Sequence, residues 1–121
     1  MNREIKFRAW DKENKGMRFE RDGEIGRLDL FFRRLYGMGV DIMQYTGLHD
    51  KNGKEIYEGD VFEVGYFGWK CVVEWDDENS RFLGFTIEGE RKIVYIGRSP
   101  QPVTVIGNIY SNPELLQEAG K

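Results

Sequence analysis

The feature that most limits what this chain can fold into is a series of short apolar segments beginning near Asp60, each closed by a tight polar turn. Residues 61–66 form one extended segment, turned by the glycines at 65 and 68. Residues 69–75 form the next, and a two-residue period puts Trp69, Cys71, Val73 and Trp75 on one face. Asp76-Asp77-Glu78-Asn79 turns the chain into a third segment, 81–87, and Gly89 turns it into a fourth, 92–96. Pro100 and Pro102 mark a loop, because proline cannot donate to a strand ladder. Residues 103–110 form the fifth. Five short strands at regular spacing predict a small barrel or a highly curved sheet, a closure that also removes exposed sheet edges.

The residues before this series read as an extension of it. Over 4–10 the alternation puts Ile5, Phe7 and Ala9 on a buried face and Lys6 and Arg8 on the other, which predicts a half-buried strand. The polar cluster 11–16 turns it, and 17–21 returns as a hairpin, with Asn and Gly supplying positive φ. Leu28, Phe31, Phe32 and Leu35 fall at helical spacing with Arg33 and Arg34 opposite, so a short helix is expected over 27–36; the alternation of Leu28, Leu30 and Phe32 also fits a strand. Residues 42–48 are extended, and Asp50-Lys51-Asn52-Gly53-Lys54 is a turn, giving a turn region over 49–54. After the last strand, Asn112, Pro113 and Glu114 have the order of a helix start, and Leu115 and Leu116 would pin that short C-terminal helix to the body. The chain divides into an extension, 1–57, and a β-barrel with its helix, 58–121, within one compact unit.

Composition narrows the function classes. Lys and Arg number 18 against 21 Asp and Glu, a net charge of -3, with the signs interspersed. Such a surface carries no built-in field for nucleic acid or anionic membranes. One cysteine, Cys71, forms no intramolecular disulfide, and the charged start Met1-Asn2-Arg3-Glu4 is unlike a secretory signal. The expected location is the cytoplasm, with no membrane partner.

No residue pattern supplies an active site, and the expectation is a protein that is not an enzyme and uses no cofactor. Cys71 sits on a core face, where a thiol is inert, and nothing places it beside the lone His49, which is expected to lie exposed by its turn. The acids Asp50, Glu55, Glu58 and Asp60 invite a metal reading. An EF-hand fails, because Lys54 stands where an oxygen ligand is needed and Glu55 where a glycine is needed. These acids read instead as turn residues, Gly59 allowing a tight bend and Asp60 capping backbone amides.

The opening Arg3-Glu4-Ile5-Lys6-Phe7-Arg8-Ala9-Trp10-Asp11 resembles the start of YopX-type phage and prophage proteins. The stretch Met43-Gln44-Tyr45-Thr46-Gly47-Leu48, followed by residues 50–60, is similar to that family's most characteristic segment. Val105-Ile106-Gly107-Asn108-Ile109-Tyr110 with Asn112-Pro113-Glu114-Leu115 resembles its usual ending. The resemblance implies a mainly β, SH3-like five-stranded barrel behind an N-terminal hairpin and helix extension. It also implies a phage or prophage origin in a bacterial host, and brings no catalytic residues.

Two binding readings follow. Tyr66, Phe67, Trp69 and Lys70 gather at one hairpin, and the apolar stripe with Phe31 lies near Arg33 and Arg34, which suits a protein interface or self-association. The same aromatics, with Arg81, Arg91, Lys92 and Arg98, suit single-stranded nucleic acid, against the acidic balance. A non-enzymatic protein-interaction module leads, nucleic-acid binding is the alternative, and a metal-dependent hydrolase comes third.

Overall fold

The computed structural model describes residues 5–19, 39–65, 68–96 and 102–116. The expected helix over 27–36 lies outside them, and with it Phe31, Arg33 and Arg34; so do Tyr66, Phe67 and Arg98.

The described strands are β1 (Phe7–Asp11), β2 (Gly16–Phe19), β3 (Val40–His49), β4 (Glu55–Tyr57), β5 (Asp60–Val64), β6 (Lys70–Asp76), β7 (Arg81–Thr86), β8 (Ile93–Val94) and β9 (Val103–Asn108). They form two antiparallel sheets, of order β2-β1-β3-β4 and β8-β7-β6-β5-β9. The chain passes from one sheet to the other through Glu58 and Gly59, whose φ of +86° suits glycine. Among the described residues β8 and β9 are the two edges of the second sheet, which is a half-barrel. A single 3-10 turn, Pro113–Leu116, follows β9, and Asn112 Oδ1 accepts from the Asn108 amide beneath it.

The apolar core lies on the second sheet. Phe62, Val64, Cys71, Val73, Val103 and Val105 pack together with Ile96, and Ile56 of β4 joins them from the first sheet. Phe62 lies against the backbone of Gly84, where a Cβ would stand 2.5 Å from the ring. Any side chain at residue 84 would displace the ring. Cys71 is fully buried, and burial pushes its thiol up to about 11. Cys71 and Val73 occupy the expected face of β6, but Trp69, just before the strand, and Trp75, near its end, are exposed and do not join the core.

Two four-residue turns share one device. Asp11 accepts the amides of Glu13 and Asn14 and the side chains of Asn14 and Arg18. Asp76 accepts the Glu78 amide and the side chains of Asn79 and Arg81. In each, the residue four positions after the aspartate takes positive φ, Lys15 at 53° and Ser80 at 52°. The left-handed residue of the first turn is therefore a lysine, not the Asn or Gly that composition predicts.

The largest correction concerns β1. Ile5 is 52% exposed, whereas Lys6 and Arg8 are 7% and 4% exposed. Ala9 is fully buried and Phe7 half-buried as expected, so both faces of the strand are covered, and the charged one is inward as well. Arg8 pairs with Asp60, which is buried with it, and Lys6 pairs with Glu55, which is only half-buried, so each inward charge has a counter-charge. The segment over 55–57, which carries no strand alternation of its own, is the strand β4 that supplies part of this setting.

Candidate interaction groove and its surroundings

Among the described residues, polar and aromatic side chains gather around two concavities and one buried charged seam. In the seam, Arg8 Nη2 donates to Asp60 Oδ1 at 2.8 Å and to the Glu58 carbonyl at 3.3 Å. The Tyr57 amide donates to Asp60 Oδ2 at 2.8 Å. The Arg8 guanidinium lies 4.6 Å from the Tyr57 ring centre, and Lys6 Nζ lies 5.1 Å from that of Tyr45. Burial raises the Asp60 carboxyl above the ordinary range against the downward pull of Arg8. Burial, then the charge of Glu55, pushes Tyr57 up to about 12. Asp60 thus has the capping role expected of it and a second one that local sequence does not reveal. Asp50 is a turn residue as expected: Oδ1 accepts from Asn52 and Lys54 and Oδ2 from Val105, each at 2.9 Å. Burial raises its pKa, but these amides outweigh that and hold it below the usual range. The four acids singled out in sequence therefore do separate jobs. His49 is exposed, with Tyr45 Oη 3.4 Å from its ring nitrogens.

The first concavity, about 350 Å³, surrounds Trp69 and Lys70, the described members of the expected hairpin surface. Lys92 Nζ stands 5.7 Å from the Trp69 ring centre. Thr86 Oγ1 donates to the Glu90 carbonyl and accepts from the Lys92 amide, which fixes the opposite wall. Glu88 and Glu90 line the same cleft, so its lysines are already balanced.

The second concavity, about 470 Å³, lies at the junction of the two sheets. β3 contributes Ile42 and Met43, the β4–β5 turn Glu58 and Gly59, and β6 the run from Val72 to Trp75. Asp77, Ile109, Tyr110 and Leu116 complete it. Ile42, Trp75 and Leu116 are exposed at 45%, 40% and 43%. Trp75 is held by an edge contact with Phe82, ring centres 4.8 Å apart, and Tyr110 by stacking on Trp10 at 5.9 Å. Burial raises the Tyr110 hydroxyl, and the charges of Asp41 and Glu58 raise it further. Sequence reasoning assigned Trp75 to the core and gave Ile42, Tyr110 and Leu116 no surface role. Their common signal is weak, since they come from three separate parts of the chain.

These features define a two-sheet, mainly β protein with an apolar groove where the sheets meet. A family model described as YopX protein matches residues 6–117. The chain belongs to the YopX protein family. Its fold is similar to that in the crystal structure of protein EF1440 from Enterococcus faecalis, with a TM-score of 0.61 and 23% identity over 96% of this chain and 100% of that one. No curated protein matches the chain. Among the described residues, no helix is long and apolar enough to cross a membrane.

Proposed function

We propose that this chain is a non-enzymatic protein-interaction module, encoded by a phage or prophage and acting in the cytoplasm of its bacterial host. The carrying observation is the groove at the sheet junction. Three large apolar side chains stay exposed around it although the same molecule buries a full apolar core. Contiguous exposed apolar surface with a polar rim is the signature of a contact site. The order β8-β7-β6-β5-β9, a four-strand meander with the last strand returned beside the first, supports reading the second sheet as SH3-like.

The test is site-specific photo-crosslinking in lysogenic cells. A crosslinker at residue 42 should capture a defined protein, and one at residue 93, a surface position on β8, should not. Equal capture at both positions, or none at either, ends the reading. Nucleic acid is the second reading, favoured by Lys92 and Lys70 beside Trp69. It requires salt-sensitive binding of labelled single-stranded DNA or RNA that Trp69→Ala removes. Flat titrations dispose of it.

A further inference from the structure

We propose that the groove at the sheet junction takes a basic, apolar peptide segment: one large aromatic or aliphatic side chain in the groove, with Lys or Arg on either side of it. This rests on the interaction-module reading and names the chemistry of its partner.

Charge decides the occupant. Glu58, Glu74 and Asp77 line the groove, and no Lys or Arg does so among the described residues. Glu74 is already paired with Arg91 at 2.8 Å. Glu58 and Asp77 make no ion pair among the described residues; the Glu58 carboxylate accepts only the Gln44 amide, at 3.4 Å, and is half-buried, where its field is less screened, while Asp77 is exposed. Burial is the main cause of the raised Tyr110 hydroxyl; Asp41 and Glu58 add to it and Arg8 opposes them. An acidic partner would meet like charge from Glu58 and Asp77, and a neutral one would cover the half-buried Glu58 carboxylate without giving it a counter-charge. A cation beside an apolar anchor satisfies both the carboxylates and the apolar lining.

Size and rigidity agree. A volume of about 470 Å³ holds one anchor side chain with its flanking backbone and not a folded domain edge. The floor is fixed: a Cβ at residue 59 would stand 3.2 Å from Met43 Sδ. The Gly59 amide is committed to the Val73 carbonyl and its carbonyl to the Ile109 amide, so β-strand addition at this turn is closed. Recognition therefore falls on side chains. Trp75 is the wall with the largest apolar face, and Ile42 and Leu116 flank it.

The experiment is a titration of the full chain, followed by amide and indole NMR shifts, with three blocked hexapeptides. The first is Lys-Leu-Trp-Arg-Leu-Lys. In the second each Lys and Arg is replaced by Glu, and in the third each Leu and Trp by Ser. Only the first should shift the Trp75 indole and the Gly59 and Ile109 amides. Trp75→Ala should weaken it by about tenfold or more, as loss of a buried aromatic anchor does. Trp75 lies outside the core, and Glu58→Gln with Asp77→Asn provides a second variant that removes charge alone. That variant should weaken binding several-fold and flatten its salt dependence. Equal binding of the first two peptides overturns the proposal, as do shifts centred on Trp69 and Lys92. A concentration-dependent dimer that Trp75→Ala disperses also overturns it, giving the groove to a second copy. A crosslinked protein partner at residue 42 with no response to any peptide leaves the interaction module standing and removes only this chemistry. Loss of both results removes both.

Discussion

The two regions that hold this molecule together use opposite chemistry. On the second sheet, Phe62, Val73, Val105 and their neighbours form an apolar core with a fully buried thiol. Between the sheets, Arg8 and Asp60 are enclosed with the ring of Tyr57, and beside them Lys6 lies buried over Tyr45 and reaches the half-buried Glu55. An apolar core tolerates many arrangements of similar volume, whereas a buried ion pair is satisfied in one register only. The core supplies most of the stability. The seam fixes how β1 and β4 sit on β5.

Substitutions test that division. Phe62→Ala should have the largest effect, about 4 kcal/mol, because it removes a buried ring and leaves the surface of Gly84 bare. Denaturant unfolding measures it, and a loss below about 1 kcal/mol would mean that the core does not dominate. In the seam, Asp60→Leu should cost about 3 kcal/mol, since it strands both the Arg8 charge and the Tyr57 amide. Arg8→Met should cost distinctly less, because the Asp60 carboxyl can take a proton and keep the Tyr57 bond. Equal costs would show that Asp60 has one role and not two.

Acid titration sharpens the contrast, because the two kinds of aspartate respond with opposite sign. Asp60, raised by burial, contributes stability that is full below the ordinary carboxylate range and declines as pH rises through its folded pKa. Asp11, held down to about 2 first by Asn14, contributes stability present above about 4 and lost as pH falls toward 2. Asp60→Asn should remove the decline on the high side, and Asp11→Asn should flatten the acid limb. Unfolding free energy across a pH series reads both; slopes of the same sign would refute the assignment. The smallest effects belong to the turns. Lys15→Gly and Ser80→Gly should each stabilise by about 0.5 kcal/mol, relieving left-handed strain at the cost of some backbone entropy. A destabilised Ser80→Gly would mean that its side chain matters more than its φ.

The strands from Asp60 onward were legible because alternation and turn residues are local signals. Cys71 and Val73 could be placed in the core from spacing alone. The seam was not legible. Ile5, Phe7 and Ala9 alternate as a buried face should, and only the carboxylate 52 residues away makes Arg8 an inward residue. Ion pairs of that range leave no periodic mark. The groove was hidden for the same reason: Ile42, Trp75 and Leu116 are unrelated in sequence and meet only when the sheets meet. Strand spacing left a small barrel and a highly curved sheet both open, since strand count does not say whether the last edge finds a partner.

Asp50 carries a consequence for the order of assembly. Two of its three acceptor bonds close within four residues, so the turn that follows β3 can form as soon as it leaves the ribosome. The third waits for Val105, 55 residues later in synthesis. Until then a carboxylate designed for a dry site stands in water with spare capacity, and the first sheet has no finished surface to lean on. Asp50 thus ties a local turn of the first half of the chain to the last strand, β9, and the bond forms only when β9 is in place.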